Sequence, residues 1–332
     1  MKKVSMQDIA DKLGVSKGTV SLVLSGKAKG GRVSEKTADR VKKMAAEMHY
    51  YPNDIARSLS TGTTMTIGVI VTDISNEFFG NLTFHIQEQA KKYGYTVITT
   101  NTNERLDEFD NAITTLMNKQ VDGIVLVPVA GGQEIVERVI KKQVPVVQVD
   151  RFFPGIDASY IVVDNYKVSK KAIELLVHKG YRKIASICYD MNVNALVERR
   201  NGYIDALERN ELLDRSLIKN IDYENQEKQI EQAVIDLKNN PEKVEAVFFC
   251  SKRVFTIGMN YIHREGVKIP EDMEVLCFDK IDAFSIIDYP IHYIEQPIQE
   301  MGEKAVDILM GQIDGRKNAV HLVLDAEIVF AN

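Results

Sequence analysis

The chain is poor in the residues on which redox, metal and secreted chemistry is built. Its three cysteines, Cys188, Cys250 and Cys277, are odd in number, far apart and set in apolar strand-like runs. That argues against a disulfide framework and reads as buried reduced thiols. The six histidines, His49, His85, His178, His263, His292 and His321, are scattered without ligand spacing, so no metal or other cofactor is expected. Residues 26–31 carry neither the Walker nor the dinucleotide glycine spacing, and Gly-x-Ser-x-Gly does not occur. Catalysis is therefore not expected. No apolar run approaches a membrane span, and the opening lysines lead into a helical pattern rather than an apolar leader. The expectation is a cytoplasmic protein.

What is present is enough for two or three domains: 332 residues, 45% apolar and 27% charged. The formal net charge of −5 hides an asymmetry. Residues 1–60 hold twelve Lys+Arg against six Asp+Glu, and the remainder thirty against forty-one. A basic head precedes an acidic body, as suits a head that meets phosphates.

The head is organised around residues 5–25, SMQDIADKLGVSKGTVSLVLS. Met6, Ile9, Ala10 and Leu13 fall on one helical face, and Ser5 with Asp8 has the spacing of a capping box. Gly14-Val15-Ser16 breaks that helix, and Ser16 caps a second one beginning at Lys17. Val20 and Leu24 are expected on its inner side, with Lys17, Gly18, Ser21, Leu22 and Ser25 pointing outward. The pattern is a helix-turn-helix with the second helix as reader. Lys17 has two readings, a guanine donor or a phosphate contact, and Ser16, Thr19 and Ser21 are candidate donors, Ser16 also as a plain cap. The cationic loop that follows offers Lys27, Lys29 and Arg32 to phosphates. Ser34 caps a third helix whose Thr37, Val41, Met44 and Met48 close a small core, with Tyr50 and Tyr51 adding aromatic area.

Taken in order, Asp8-Ile9-Ala10, Gly14-Val15-Ser16, Thr19-Val20-Ser21, residues 33–37 (VSEKT), Tyr51-Pro52-Asn53, Ala56-Arg57-Ser58-Leu59, Asp164-Asn165, Arg199 with Gly202, Phe278-Asp279 and Gln296-Pro297 resemble the lactose-repressor-type (LacI/GalR) transcriptional regulators over essentially the whole chain. The resemblance implies a DNA-binding domain at 1–60, a linker at 61–65 and an effector-binding, dimerising core at 66–332. It also makes 53–60 a hinge helix, ordered by DNA and a second copy, with Asn53, Ala56 and Arg57 at the duplex and Leu59 wedged into the minor groove. The alternative is a plain interdomain linker. Ser5 is carried over as a further DNA contact. Leu22 stands where relatives usually carry a guanine-reading arginine; it can only pack on a thymine methyl, which implies a different operator base.

From Thr66 onward apolar strand runs alternate with helical segments, first over 67–149 and again from about 160 to 312. Such alternation means parallel sheets covered on both faces. Two such series make the two-lobed, doubly wound α/β fold of periplasmic sugar-binding proteins, with the ligand beyond the carboxyl ends of the strands. The resemblance places Phe78, Asp150, Arg151, Arg199, Lys252, Arg253, Asp279 and Gln296 at that cleft. Lys252 and Arg253 replace the Asn-Asp usual in relatives, and cations at a helix start oppose its dipole. With Arg151, Arg199 and Lys280 they suggest an acidic effector, a sugar acid or sugar phosphate such as 2-keto-3-deoxygluconate; the alternative is that Lys252 and Arg253 pair with Glu77, Asp279 or another local carboxylate. The partners implied are operator DNA, a small effector and a second copy. A regulator governed by a protein corepressor, its cleft vestigial, is the other functional reading. Effector binding is expected to change the angle between lobes and so the spacing of the hinge segments.

Overall fold

A computed structural model describes residues 4–25, 28, 33–51, 58, 62–281 and 290–330. The chain divides into two compact units, Met1–Thr64 and Met65–Asn332.

In the first unit α1 (Met6–Leu13), α2 (Lys17–Leu24) and α3 (Glu35–Glu47) pack around Ile9, Ala10, Val20, Val23, Val41 and Ala45. The caps are those the sequence predicts. Ser5 and Asp8 form a reciprocal capping box, and Gly14 ends α1 at φ 66°, a left-handed conformation that glycine adopts without a Cβ penalty. Ser16 and Ser34 cap α2 and α3 by accepting from the Thr19 and Thr37 amides. Three side chains differ from expectation. The inner side of α2 is Val20 with Val23, and Leu24 is only partly buried. Thr37 spends its hydroxyl on Ser34 at 2.9 Å, leaving Ala45 to fill the core position. Tyr50 packs on the cluster, whereas Tyr51 is 81% exposed.

The second unit holds two six-stranded sheets. The first contains β1 (Thr66–Val71), β2 (Thr96–Asn101), β3 (Gly123–Leu126), β4 (Val146–Val149), β5 (Ser159–Val163) and β11 (His321–Leu324), in the order β11-β5-β4-β3-β1-β2, all parallel. The second contains β6 (Ile184–Tyr189), β7 (Ile218–Ile221), β8 (Ala246–Phe249), β9 (Glu274–Phe278), β10 (His292–Glu295) and β12 (Glu327–Val329), in the matching order β12-β10-β9-β8-β6-β7. Its one antiparallel pairing among the described residues is β10 with β12. Central strands such as TIGVIV and AVFF are apolar throughout because both faces are covered.

In lobe one, α4 (Glu77–Lys92) and α11 (Ile298–Ile313) cover one face, and α5 (Leu106–Asn118) with α6 (Gln133–Lys141) the other. In lobe two, α7 (Asn165–His178) packs closely on α8 (Asn194–Arg209), and α9 (Gln226–Lys238) on α10 (Lys252–Arg264). The sequence reading placed β5 and the 298–312 helix with the second series; both belong to lobe one. It also omitted β10, β11 and β12. The chain therefore crosses between lobes three times, at Asp164, at Gln296-Pro297 and at Asp325-Ala326. Two contiguous halves would cross once.

Candidate functional site

On the head, Lys17, Gly18 and Ser21 are exposed along one side of α2, with Thr19 and Leu22 partly so. Ser5 and Ser16 are exposed as well, but their hydroxyls already serve caps: Ser5 Oγ donates to Asp8 at 2.7 Å, and Ser16 shares a 2.9 Å bond with Thr19. A Cβ at Gly18 would meet only Ser16 Oγ, at 3.7 Å. The head's own packing therefore does not require glycine there. Lys27, Lys29, Arg32, Asn53, Ala56, Arg57 and Leu59 lie outside the described residues, as does the hinge segment apart from Ser58.

In the core, the carboxyl ends of both sheets border a cleft with a cavity of about 50 Å³. Two aspartates mark it from opposite lobes. Asp150 follows β4 and Asp279 follows β9, and each amide donates to the neighbouring strand, to Ile161 O at 3.0 Å and to Ile294 O at 2.9 Å. Both adopt left-handed backbone, φ 68° and 85°. Non-glycine residues held there are strained, and such strain concentrates at ligand sites. Burial pushes both carboxyls above the usual carboxylate range; Arg151 and Arg199 pull Asp150 back, while Arg199, Gln296 and Lys252 pull Asp279 back.

Between them lies Arg199, buried on α8. Its Nε donates to Asn165 Oδ1 at 2.8 Å and Nη1 to the Cys250 carbonyl at 2.9 Å, while Nη2 stands 3.9 Å from Asp150. The guanidinium lies 3.5 Å over the Phe278 ring. Arg151 is locked in a bidentate pair with Glu104 at 2.8 and 2.9 Å. Burial draws that guanidinium's pKa down, but Glu104's charge and hydrogen bonds carry it above its ordinary value.

The start of α10 is compensated from within the protein. Ser251 caps it, the Asp279 carboxylate lies close enough to interact with Lys252, and the Lys252 ammonium meets Glu77 at 2.7 Å. Arg253 is 45% exposed on the cleft wall, 3.9 Å from Glu227. Seven of the eight expected residues, Phe78, Asp150, Arg151, Arg199, Arg253, Asp279 and Gln296, border the cleft; Lys252 does not. Lys280 points to the surface and donates to Glu295 at 3.2 Å. Lys252 thus pairs with Glu77 as the local-carboxylate alternative has it, and Arg253 stands 3.9 Å from Glu227; Arg151 and Lys280 meet carboxylates as well, Glu104 and Glu295.

Sequence reasoning missed Thr72, Asp73, Glu104, Tyr189, Tyr223 and Ser251 on the same walls. Thr72, Ser251 and Tyr189 sit at or just past the ends of β1, β8 and β6, so the carboxyl-end rule, applied strand by strand, finds them. Burial pushes the Tyr223 hydroxyl up to about 12. Its ring lies 5.3 Å from that of Tyr189.

A capped three-helix reader with a two-lobed receptor core defines a ligand-responsive DNA-binding regulator. Residues 5–53 match the model of bacterial regulatory proteins of the lacI family, and 64–325 that of periplasmic binding proteins and the sugar-binding domain of the LacI family. The chain belongs to the LacI family. It is 30% identical to the transcriptional repressor CytR of Escherichia coli K12, over 98% of this chain and 94% of that protein. It is also 30% identical to the ribose operon repressor of Haemophilus influenzae, over 98% and 97%. The lac repressor dimer bound to operator and the anti-inducer ONPF shares the fold at a TM-score of 0.86 and 22% identity, covering 99% of this chain and 98% of that one. The protein is thus a DNA-binding transcriptional repressor of a family regulated by small-molecule effectors, not an enzyme. No helix among the described residues is long and apolar enough to cross a membrane.

Proposed function

We propose that this repressor acts as a homodimer whose operator affinity is set by a sugar-like, polyhydroxylated metabolite held between the lobes. The observation that carries the reading is the row Asp150, Arg199, Asp279 at the base of the cleft: two buried carboxylates flanking a guanidinium fixed by Asn165 and Cys250. Carboxylates accept and guanidinium groups donate, so the row matches vicinal hydroxyls, and Phe78 supplies a ring edge. The name of the ribose operon repressor points the same way.

An acidic substituent, as in 2-keto-3-deoxygluconate or another sugar acid or phosphate, is a second reading that now rests on Arg253. This cation lies on the cleft wall in the first turn of α10, while Arg151 and Lys252 are committed to Glu104 and Glu77. Control by a protein corepressor gains nothing from a cleft so furnished with buried polar groups.

On the DNA side, Lys17, Gly18, Thr19, Ser21 and Leu22 are proposed as the major-groove contacts. Lys27, Lys29 and Arg32 are proposed for phosphates, with Leu59 as the minor-groove wedge of the hinge. Dimerisation supplies two heads for two half-sites. The test is binding-site selection with the full chain, followed by calorimetry with neutral sugars and their acids. A preferred duplex and a sugar that changes its affinity are expected; no preference over bulk competitor under any effector condition overturns the reading. Leu22→Arg should shift one base pair of each half-site toward guanine, worth about 1–3 kcal/mol of discrimination. Identical selected sequences for both proteins would refute that contact.

A further inference from the structure

We propose that Glu77 and Lys252 are positioning residues for the effector response: they form an ion pair that latches the two lobes together beside the cleft. Glu77 opens α4 in lobe one, and Lys252 opens α10 in lobe two. Their 2.7 Å contact joins two bodies that the backbone connects only at three crossings. Lys252 is not among the cleft-lining residues, and its ammonium is turned to Glu77.

The two partners are buried unequally, and that makes the contact a latch rather than a weld. The Lys252 side chain is 6% exposed and that of Glu77 37% exposed. On opening, Glu77 passes readily to water, while Lys252 keeps the attraction of the Asp279 carboxylate within its own lobe. Neither charge is stranded, so the penalty that makes a fully buried pair hard to break is small here. A second contact across the same divide reports on closure: the Phe152 amide in lobe one donates to Asn194 Oδ1 in lobe two at 3.0 Å. Its neighbour, the Phe153 amide, donates to Gln148 within lobe one at 3.1 Å and serves as an internal control.

This inference rests on the effector reading above for its purpose, but its test needs neither effector nor operator. Amide exchange at single-residue resolution is measured on the effector-free full chain, for wild type, Glu77→Gln, Glu77→Lys and the exchanged pair Glu77→Lys with Lys252→Glu. Exchange at Phe152 should quicken about three- to tenfold in Glu77→Gln, more in Glu77→Lys, and return toward wild type in the exchanged pair, with Phe153 unchanged throughout. Unaltered exchange at Phe152 in Glu77→Lys overturns the latch. So does acceleration at Phe152 and Phe153 together, or a failure of the exchanged pair to recover, since either marks a local structural role. Operator affinity on the same four proteins separates the two ideas: a latch confirmed by exchange with no selected duplex would remove the regulatory reading and leave the latch standing.

Discussion

The two lobes place the same residue at the same point and treat it differently. Asp150 and Asp279 end equivalent strands, bond equivalent neighbours and share a strained backbone. Asp279 is partnered within its own lobe: Gln296 donates to it at 2.6 Å. Around Asp150 the nearest donors are Arg151 Nε at 3.5 Å and Arg199 Nη2 at 3.9 Å, contacts too long for good hydrogen bonds. Asp279 has a close donor within its own lobe, whereas Asp150 has none from either arginine. Symmetry of the backbone therefore does not carry over into symmetry of role.

The helix pairs covering the sheets give the largest test of this asymmetry. In lobe two, a Cβ at Gly202 of α8 would stand 2.5 Å from the Tyr166 carbonyl and 2.9 Å from the Lys170 amide, backbone atoms that move only with α7 itself. In lobe one, a Cβ at Gly302 of α11 would meet His85 Cβ at 2.9 Å and the Ile86 amide at 3.1 Å. Gly202→Ala is expected to cost about 3 kcal/mol or more and Gly302→Ala about 1–2 kcal/mol in urea unfolding. Equal costs would show that the two helix pairs yield alike. The aspartates come next. Asp279→Ala strands the Gln296 side-chain amide and should lower stability by about 1–3 kcal/mol, whereas Asp150→Asn should leave the free protein at least as stable as wild type at neutral pH while abolishing the effector response. Thermal melts and calorimetry check both. Should Asp150→Asn prove the more damaging of the two, the division of roles falls.

The smallest effect concerns pH. Because burial raises the native pKa of Asp150 above its unfolded value, its contribution favours the fold below the unfolded pKa and is lost as pH rises through the native one. The melting advantage of Asp150→Asn over wild type should therefore be least in acid and grow toward neutral pH before levelling. An advantage independent of pH would mean that the carboxylate carries no desolvation penalty.

Local chemistry made the head legible in the sequence. Ser5 with Asp8, Gly14, Ser16 and Ser34 each fix a helix end through a bond reaching three or four residues, and all of these form. The central strands and their helices were legible for the same reason, as continuous apolar runs bounded by polar turns. Lobe membership was not. Whether β5 pairs with β4 or starts a new sheet depends on register between distant segments, and HYIE, HLVL and EIV are too short to show periodicity. The pairing of Lys252 with Glu77 was open in the sequence as an alternative, whereas Glu104 reaches Arg151 only after the strand ends converge. Val23 and Ala45 were missed for a smaller reason: in so thin a core a single turn of helix phase decides which apolar residue faces inward.

The return of α11 and β11 to lobe one has a consequence for synthesis. The helix that seals one face of the first sheet, and the strand that borders β5, are encoded among the last residues of the chain. While the ribosome is still delivering lobe two, lobe one must wait with that face covered by α4 alone and the flank of β5 unpaired. A chain cut short after β10 would leave behind an unfinished first lobe rather than a severed second one, and the unpaired flank is a template on which neighbouring nascent chains can aggregate.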